Sequence, residues 1–319
     1  MQSTSRHKLY GYLVMFLSSS LMGGVGAIAR FVEGKPSGLF ISLCRNSAGI
    51  ILMTLIFVAG RRFIKFRGFK LTPMVVLSGV FLGLLSGLYV LSTQMTTLAN
   101  AAFLIYTGPI YSTILASIFL KEPFTKVTAA SLGSVFLGCL LIIGIINYSQ
   151  GEGLTVSLSL DPKYFAGNMV ALASGVAYGL FLFFSRYRHD VESDVRAYTN
   201  FIFAVITLGA VNLVSAPDLS KMTSNSWFVL TILAFVTGAG AFFLLTVASK
   251  ILLAGELATI SYQETIMATI LGVALFAEPL SMMQILGGAL IIAGGVAQIM
   301  SSARKSTPAD KDLAEAMVG

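Results

Sequence analysis

The sequence predicts an all-α integral membrane protein of ten transmembrane helices, arranged as a 5+5 inverted-topology repeat. Three observations predict it. The chain is 56% hydrophobic and only 11% charged over 319 residues, against about 25% charge in ordinary soluble domains. Ten apolar segments are long enough to cross about 30 Å of hydrocarbon as helices of about 20 residues. A single offset, 156 residues, maps the first half of the chain onto the second. No run alternates between turn signals as a transmembrane barrel strand does.

The segments lie near 9–29, 38–59, 72–93, 97–120, 126–147, 163–184, 196–215, 226–248, 255–277 and 280–301. Arg6-His7-Lys8 ahead of the first one imitates a signal peptide. The repeat argues against cleavage, because Gly11, Val14, Ser18, Gly23 and Arg30 recur as Gly167, Val170, Ser174, Gly179 and Arg186. Asn100–Pro123 aligns with Glu256–Pro279 without a gap, and 8 of the 24 positions are identical, Tyr106/Tyr262 and Glu122/Glu278 among them. Five crossings per copy is odd, so the second copy enters the membrane from the opposite side. Secondary transporters are built this way, with their sites near the midplane between the copies.

Residues 1–149 form the first repeat, 150–162 a polar extracytoplasmic linker, 163–303 the second repeat and 304–319 a charged cytoplasmic tail. With the N-terminus inside, 16 basic residues fall on the inner side and four on the outer, Arg45 being intramembrane. That bias places both termini in the cytoplasm, in the plasma membrane of a bacterium or archaeon. Membrane topology and anionic lipid account for the net charge of +7, so the expected partners are a small-molecule substrate and the bilayer, not nucleic acid. The protein is expected as a monomer or homodimer. Cys44 and Cys139 lie inside helices without metal-ligand spacing, so neither a disulfide nor a metal or other cofactor is expected. His7 and His189 sit outside the helices and read as solvated. The absence of GxxxxGK[ST] disfavours ATP-driven transport. An enzyme is disfavoured because no HExxH, no Ser/His or Cys/His set and no carboxylate pair lies at membrane depth.

Intramembrane ionisable groups are costly and mark function. Two are deep. Glu264 is nine residues past Gly255, about 13 Å along a helix, and Arg45 is seven past Gly38, about 10 Å. The bilayer destabilises the charged form of Glu264, so it carries a proton or pairs with an ammonium. Its repeat counterpart is Gly108, followed by Pro109. Gly-Pro in mid-helix removes a donor, so the midplane sets a carboxylate on one repeat against a helix break on the other. Arg45 is a charge partner, a carboxylate-binding fork or a structural tie. Ser42, Arg45, Asn46 and Gly49 resemble a polar packing stripe, which favours the structural role.

Gly79, Gly83 and Gly87 line one face of the third segment, and Ser86, Tyr89 and Thr93 the opposite one. Small residues at that spacing let helices approach closely; the hydroxyls either line a cavity or bond back to their own helix. Ser18 and Met22 align with Ser174 and Tyr178, each pair sharing a helix face. Tyr89, Tyr106, Tyr111, Tyr178 and Tyr262 supply further rings and hydroxyls. Tyr111 shares the Gly108 face, whereas Tyr262 lies about 200° from Glu264 and Tyr106 about 200° from Gly108. The candidate binding set is therefore Glu264, Tyr89, Tyr111, Tyr178, Ser18, Met22, Ser174 and Ser86, with Arg45 beside it. Trp227 reads as an interface anchor. The Glu-Pro pairs at 122–123 and 278–279 read as turn chemistry, opening the fifth and tenth segments.

The duplicated endings Leu120-Lys121-Glu122-Pro123…Gly138 and Phe276-Ala277-Glu278-Pro279…Gly294, with Tyr262-Gln263-Glu264-Thr265, resemble the drug/metabolite transporter superfamily in its EamA-type ten-helix branch. Thr265 stands where the family often has Pro. Arg45 resembles a basic residue common in the family's second helix. Over residues 9–303 the resemblance implies a transporter with a central cavity between helices 1, 3, 4, 6, 8 and 9. Relatives export amino acids or other metabolites; some import choline-like compounds or molecules resembling nucleotide sugars. Three functions are carried forward. One is export of an amino acid or similar metabolite by alternating access, with possible proton coupling at Glu264. The second is a carrier of quaternary amines, with Glu264 and aromatic rings as a cationic box. The third is a lipid scramblase.

Overall fold

The computed structural model describes residues 2–34, 36–121, 125–149, 153–156, 161–187, 191–248, 251–252, 257 and 260–305. It is a helical bundle. The first segment is α1 (Gln2–Gly23) and α2 (Val25–Arg30), interrupted at Gly24. α3 (Gly38–Ala59) starts on Ser37, whose side chain accepts from Leu39 N, and a 3-10 turn (Arg62–Phe66) follows it. α4 (Pro73–Met95) has Pro at its first position, where the missing N–H costs nothing. α5 (Leu98–Ile105) and α6 (Gly108–Phe119) share the fourth segment, and α7 (Lys126–Ile143) ends on left-handed Gly144. β1 (Ile146–Ser149) and β2 (Gly153–Val156) pair antiparallel.

α8 (Pro162–Tyr187) and α9 (Ser193–Ser215) follow. α10 (Ser224–Leu233), capped reciprocally by Thr223 and Ser226, runs through a π-helical stretch (Ala234–Gly240) into α11 (Ala241–Ala248). α12 (Gln263–Phe276) and α13 (Met282–Lys305) close the chain. Among the described residues, eight helical spans are long and apolar enough to cross a membrane, from Leu9–Arg30 to Ser224–Ala248. The apolar stretches Gln263–Phe276 and Met282–Ala297 are shorter. Outward-facing Leu13, Leu55, Phe136, Leu213 and Val214 are exposed; apolar surface on this scale suits a lipid environment.

Close contacts recur at the 156-residue offset. A Cβ on Gly23 would lie 2.5 Å from the Glu264 carbonyl oxygen, and one on Gly179 would lie 2.8 Å from that of Gly108. Gly138 abuts the Gly287 carbonyl, and Gly294 the Ser131 carbonyl. Lys121 and Ala277, also offset partners, both have positive φ, 55° and 48°. Each half thus packs its first and fifth segments on the other in the same way.

Three expectations change. The polar linker contributes a strand to a hairpin, and Pro162 already begins α8. Glu278 does not cap α13, which starts four residues later. Its carboxylate binds Arg30 Nη1 at 2.6 Å and accepts from Leu98 N at 2.8 Å. Arg30 Nε and Nη2 donate to the Thr93 and Thr96 carbonyls, so the pair ties the ends of α2, α4 and α12 together. At the other end of α3, Lys65 pairs with Glu192 and Asp194, and Arg62 with Asp194. Glu122, Pro123 and the tail beyond 305 lie outside the described residues.

Candidate substrate cavity

The ninth segment is interrupted like the fourth, although Thr265 stands where a Pro would enforce it. In the fourth, Pro109 has no N–H to offer the Ile105 carbonyl, and Thr107 N falls back on Leu104 O, three residues earlier. In the ninth, Thr265 N bonds Tyr262 O, again three residues back. Among the described residues, the Ser261 carbonyl receives the Tyr106 hydroxyl at 2.7 Å instead. A tertiary hydrogen bond thus lies at this break, where the fourth segment has a proline.

Beside these breaks lies a cavity of about 210 Å³. Met22 of α1, Arg45 and Asn46 of α3, Ser86 and Tyr89 of α4, Tyr106, Tyr178 of α8 and Glu264 of α12 line it. The Tyr106 hydroxyl lies 2.9 Å from Glu264 Oε2. Its ring meets Tyr178 edge-on, with centroids 6.2 Å apart. Arg45 Nε donates to Thr237 Oγ1 at 2.9 Å, and Thr237 returns its own proton to Leu233 O at 2.7 Å. No acidic side chain pairs with Arg45 among the described residues. Asn46 Nδ2 bridges Ser42 O and Ser86 Oγ, fixing α3 against α4. Ser42 and Gly49 pack as the polar stripe predicts, against the Ser86 carbonyl and the Phe201 ring.

The structure brings Glu264, Arg45, Tyr89, Tyr178, Met22 and Ser86 to one cavity. It places Ser18, Ser174 and Tyr111 elsewhere. Ser18 is fully buried and donates to Ala241 O at 2.7 Å, and Ser174 bonds back to Ala171 O at 2.6 Å. Both hydroxyls satisfy backbone groups in helix contacts. Tyr111 packs against Gly179, because the Gly108 face of α6 is its contact with α8. Thr93 bonds back to Val90 O, unlike its neighbours Ser86 and Tyr89. Tyr262 points away from the cavity toward Gly295, as its angular distance from Glu264 requires.

Thr237, Gly238, Phe181, Phe201 and Phe242 also line the cavity, and residue-by-residue reading missed them. The offset holds a signal for two of them: Phe201 is the counterpart of Arg45, and Phe242 of Ser86. Met22/Tyr178 and Leu82/Gly238 are likewise offset partners on the wall. The cavity therefore straddles the relation between the copies, polar on one side and aromatic on the other. Phe201 and Phe242 pack edge-to-face at 4.6 Å. Thr237 and Gly238 depend on the π-helical stretch, and π-bulges are frequent at functional sites. Gly238 lies directly on the Arg45 carbonyl. Among the described residues no cluster of His, Cys, Asp or Glu could hold a metal, and both cysteines are free.

Long apolar helices, packed around an internal cavity that carries a few polar and charged side chains, define a multi-pass membrane protein. The chain belongs to the EamA-like transporter family, whose model matches residues 9–144 and 165–299. It is thus a membrane transporter. It is similar to an uncharacterized transporter of Bacillus subtilis (strain 168), YyaM, at 23% identity over 290 residues, 89% of this chain and 91% of that one. A solved crystal structure of a protein is similar at TM-score 0.59 and 18% identity, covering 95% of this chain and 99% of that one. At that identity the likeness concerns the fold.

Proposed function

We propose that this protein is a secondary transporter that moves a small zwitterionic metabolite, an amino acid above all, by alternating access between two inverted five-helix repeats. One observation carries the reading: Arg45 and Glu264 line the same cavity without pairing with each other. Opposite charges held apart around a small space suit a substrate carrying both a carboxylate and an ammonium. Arg45 offers its free guanidinium nitrogens to the carboxylate. Glu264 takes the ammonium or a coupling proton. Tyr89, Tyr178 and Ser86 supply neutral hydrogen bonds between them, and Phe181, Phe201 and Phe242 the apolar wall. The cavity is smaller than the roughly 300–1,000 Å³ of drug-sized sites, as a metabolite requires.

The reciprocal contacts at the 156-residue offset support the two-copy architecture. The excess of basic residues at one set of loops supports cytoplasmic termini in a bacterial or archaeal plasma membrane. In that orientation the Arg30–Glu278 pair ties the outer ends of the helices, and the Lys65–Glu192–Asp194 cluster the inner ends.

A quaternary-amine carrier is the second reading, favoured by the rings of Tyr89, Tyr106, Tyr178 and Phe181 around Glu264. The positive charge of Arg45 on the same wall counts against it. The first test is thermal stabilisation of the purified protein by a panel of amino acids and quaternary amines, with Glu264→Gln alongside. A ligand at 100 times its Kd stabilises by about 2.7 kcal/mol. Stabilisation by amino acids supports the zwitterion reading. Stabilisation by amines alone, lost in Glu264→Gln, replaces it with the cation carrier. Lipid transfer in liposomes without any solute gradient would identify a scramblase.

A further inference from the structure

The Tyr106 hydroxyl has one proton and two acceptors, the Ser261 carbonyl at 2.7 Å and Glu264 Oε2 at 2.9 Å. A carbonyl only accepts, and so does an ionised carboxylate. While Glu264 is ionised the two acceptors compete. When Glu264 is protonated, its O–H donates to the Tyr106 oxygen, Tyr106 donates to Ser261, and both contacts are made at once. The competitor for the Ser261 carbonyl is also identified: the Thr265 N–H, its ordinary α-helical partner, is diverted to Tyr262 O at 3.1 Å.

We propose that Tyr106 is a positioning residue that transmits the charge state of Glu264 to the helix break at Tyr262. With Glu264 protonated, Tyr106 occupies the Ser261 carbonyl and the break stays open. With Glu264 ionised, the hydroxyl turns to the carboxylate, Ser261 reclaims Thr265, and the first turn of α12 becomes regular. Tyr106 keeps its proton throughout; the proton on Glu264 arrives from water through the cavity. The switch joins the two copies, because Tyr106 belongs to the first repeat and Ser261 to the second. The proposal rests on Glu264 being the working carboxylate of the cavity.

Among the described residues, the charged and titratable groups facing Glu264 are Arg45 from α3, Tyr89 from α4, Tyr106 from the α5–α6 break and Tyr178 from α8. α1 presents the uncharged Met22 and Gly23. Arg45 stays charged and the tyrosines neutral through the neutral range, so a change there belongs to Glu264.

Hydrogen exchange of the purified full chain, followed over residues 261–266 against pH and corrected for intrinsic exchange chemistry, tests this. In the wild type, exchange at Thr265 is expected to slow about two- to threefold as pH rises, because its poorer three-residue bond to Tyr262 O gives way to a regular four-residue bond. Tyr106→Phe keeps the ring and is expected to exchange slowly at every pH. Glu264→Gln, whose amide donates to Tyr106 as the protonated acid does, is expected to exchange fast at every pH. The switch is overturned if Tyr106→Phe keeps the wild-type pH dependence, or if both variants settle at the same rate. The two readings fail separately. Amino-acid stabilisation that is lost in Glu264→Gln, together with wild-type exchange in Tyr106→Phe, removes only the switch. Stabilisation that persists in Glu264→Gln removes the Glu264 site itself.

Discussion

Tyr106 and Tyr262 stand at offset positions, each at a helix interruption, and their hydroxyls meet opposite environments. That of Tyr106 faces the cavity and touches Glu264 and Ser261. That of Tyr262 is buried, without a hydrogen-bond partner among the described residues, against Gly295. The same divergence runs along the wall, where Arg45 faces Phe201, Ser86 faces Phe242, and Glu264 has Gly108 as its counterpart. Positions related by the 156-residue offset share the backbone geometry by which the two halves pack on each other. They do not share side-chain chemistry along the cavity wall. Two arginines, or two carboxylates, across so small a space would repel and raise the desolvation cost.

Making the copies alike should therefore do most harm at the cavity. Glu264→Gly copies position 108 and removes the only acidic side chain on the wall among the described residues. It is expected to abolish solute uptake into proteoliposomes, and uptake at the wild-type rate would remove Glu264 from the mechanism. Arg45→Phe copies position 201. It is expected to eliminate amino-acid stabilisation, a loss of more than tenfold in affinity, given about 1.5–3 kcal/mol for hydrogen bonds to a charged group. Retained affinity in calorimetry would return Arg45 to the purely structural role that its stripe suggested.

The next effect is on stability. Gly295→Ala sets a methyl group against the Tyr262 hydroxyl and is expected to destabilise by about 1–3 kcal/mol, as overpacking does. Adding Tyr262→Phe removes the obstructing oxygen and should recover part of that loss, a coupling read from a double-mutant cycle of melting curves. Smallest of all is Tyr262→Phe alone. Its hydroxyl forms no hydrogen bond among the described residues, so stability is expected to stay within about 0.5 kcal/mol of wild type and transport to be unchanged. A large defect would show that Tyr262 does more than fill space.

Away from the cavity, the two ends of the bundle differ in the same graded way. The side chains of Arg30 and Glu278 are 20% and 12% exposed, and those of Lys65 and Glu192 are 32% and 58% exposed. Glu192, and then Asp194, hold the Lys65 ammonium above its ordinary lysine range. A raised folded-state value adds stability that is complete below the unfolded lysine pKa and fades as pH climbs past it. That contribution is thus fully present at neutral pH but small, because the pair is exposed, so Lys65→Ala should cost little there and less still at high salt. Arg30→Ala leaves a partly buried carboxylate unpaired and should cost more.

Much of this was readable in the residues. The segments follow from apolar length, the repeat from identities at one offset, and Glu264 and Arg45 from the cost of charge in hydrocarbon. Ser18, Ser174 and Tyr111 misled because a small hydroxyl in an apolar helix serves a backbone carbonyl as readily as a ligand. Tyr111 lies on the face of α6 that turned out to be a helix contact. Thr237 was hidden because a π-helical stretch turns it toward Arg45, and 3.6-residue spacing cannot anticipate that rotation.

What the sequence by itself determined is what the bilayer enforces along one chain: where long apolar helices run, which charges lie deep within them, and which positions recur at one offset. Tertiary structure alone decided that Arg45 and Glu264 share a cavity with no ion pair between them among the described residues, and that the Tyr106 hydroxyl reaches the carbonyl beside a break more than 150 residues away. Helix breaks and cavity walls depend on which carbonyl finds which donor across the bundle. That choice is made between segments more than 150 residues apart, where local periodicity carries no information.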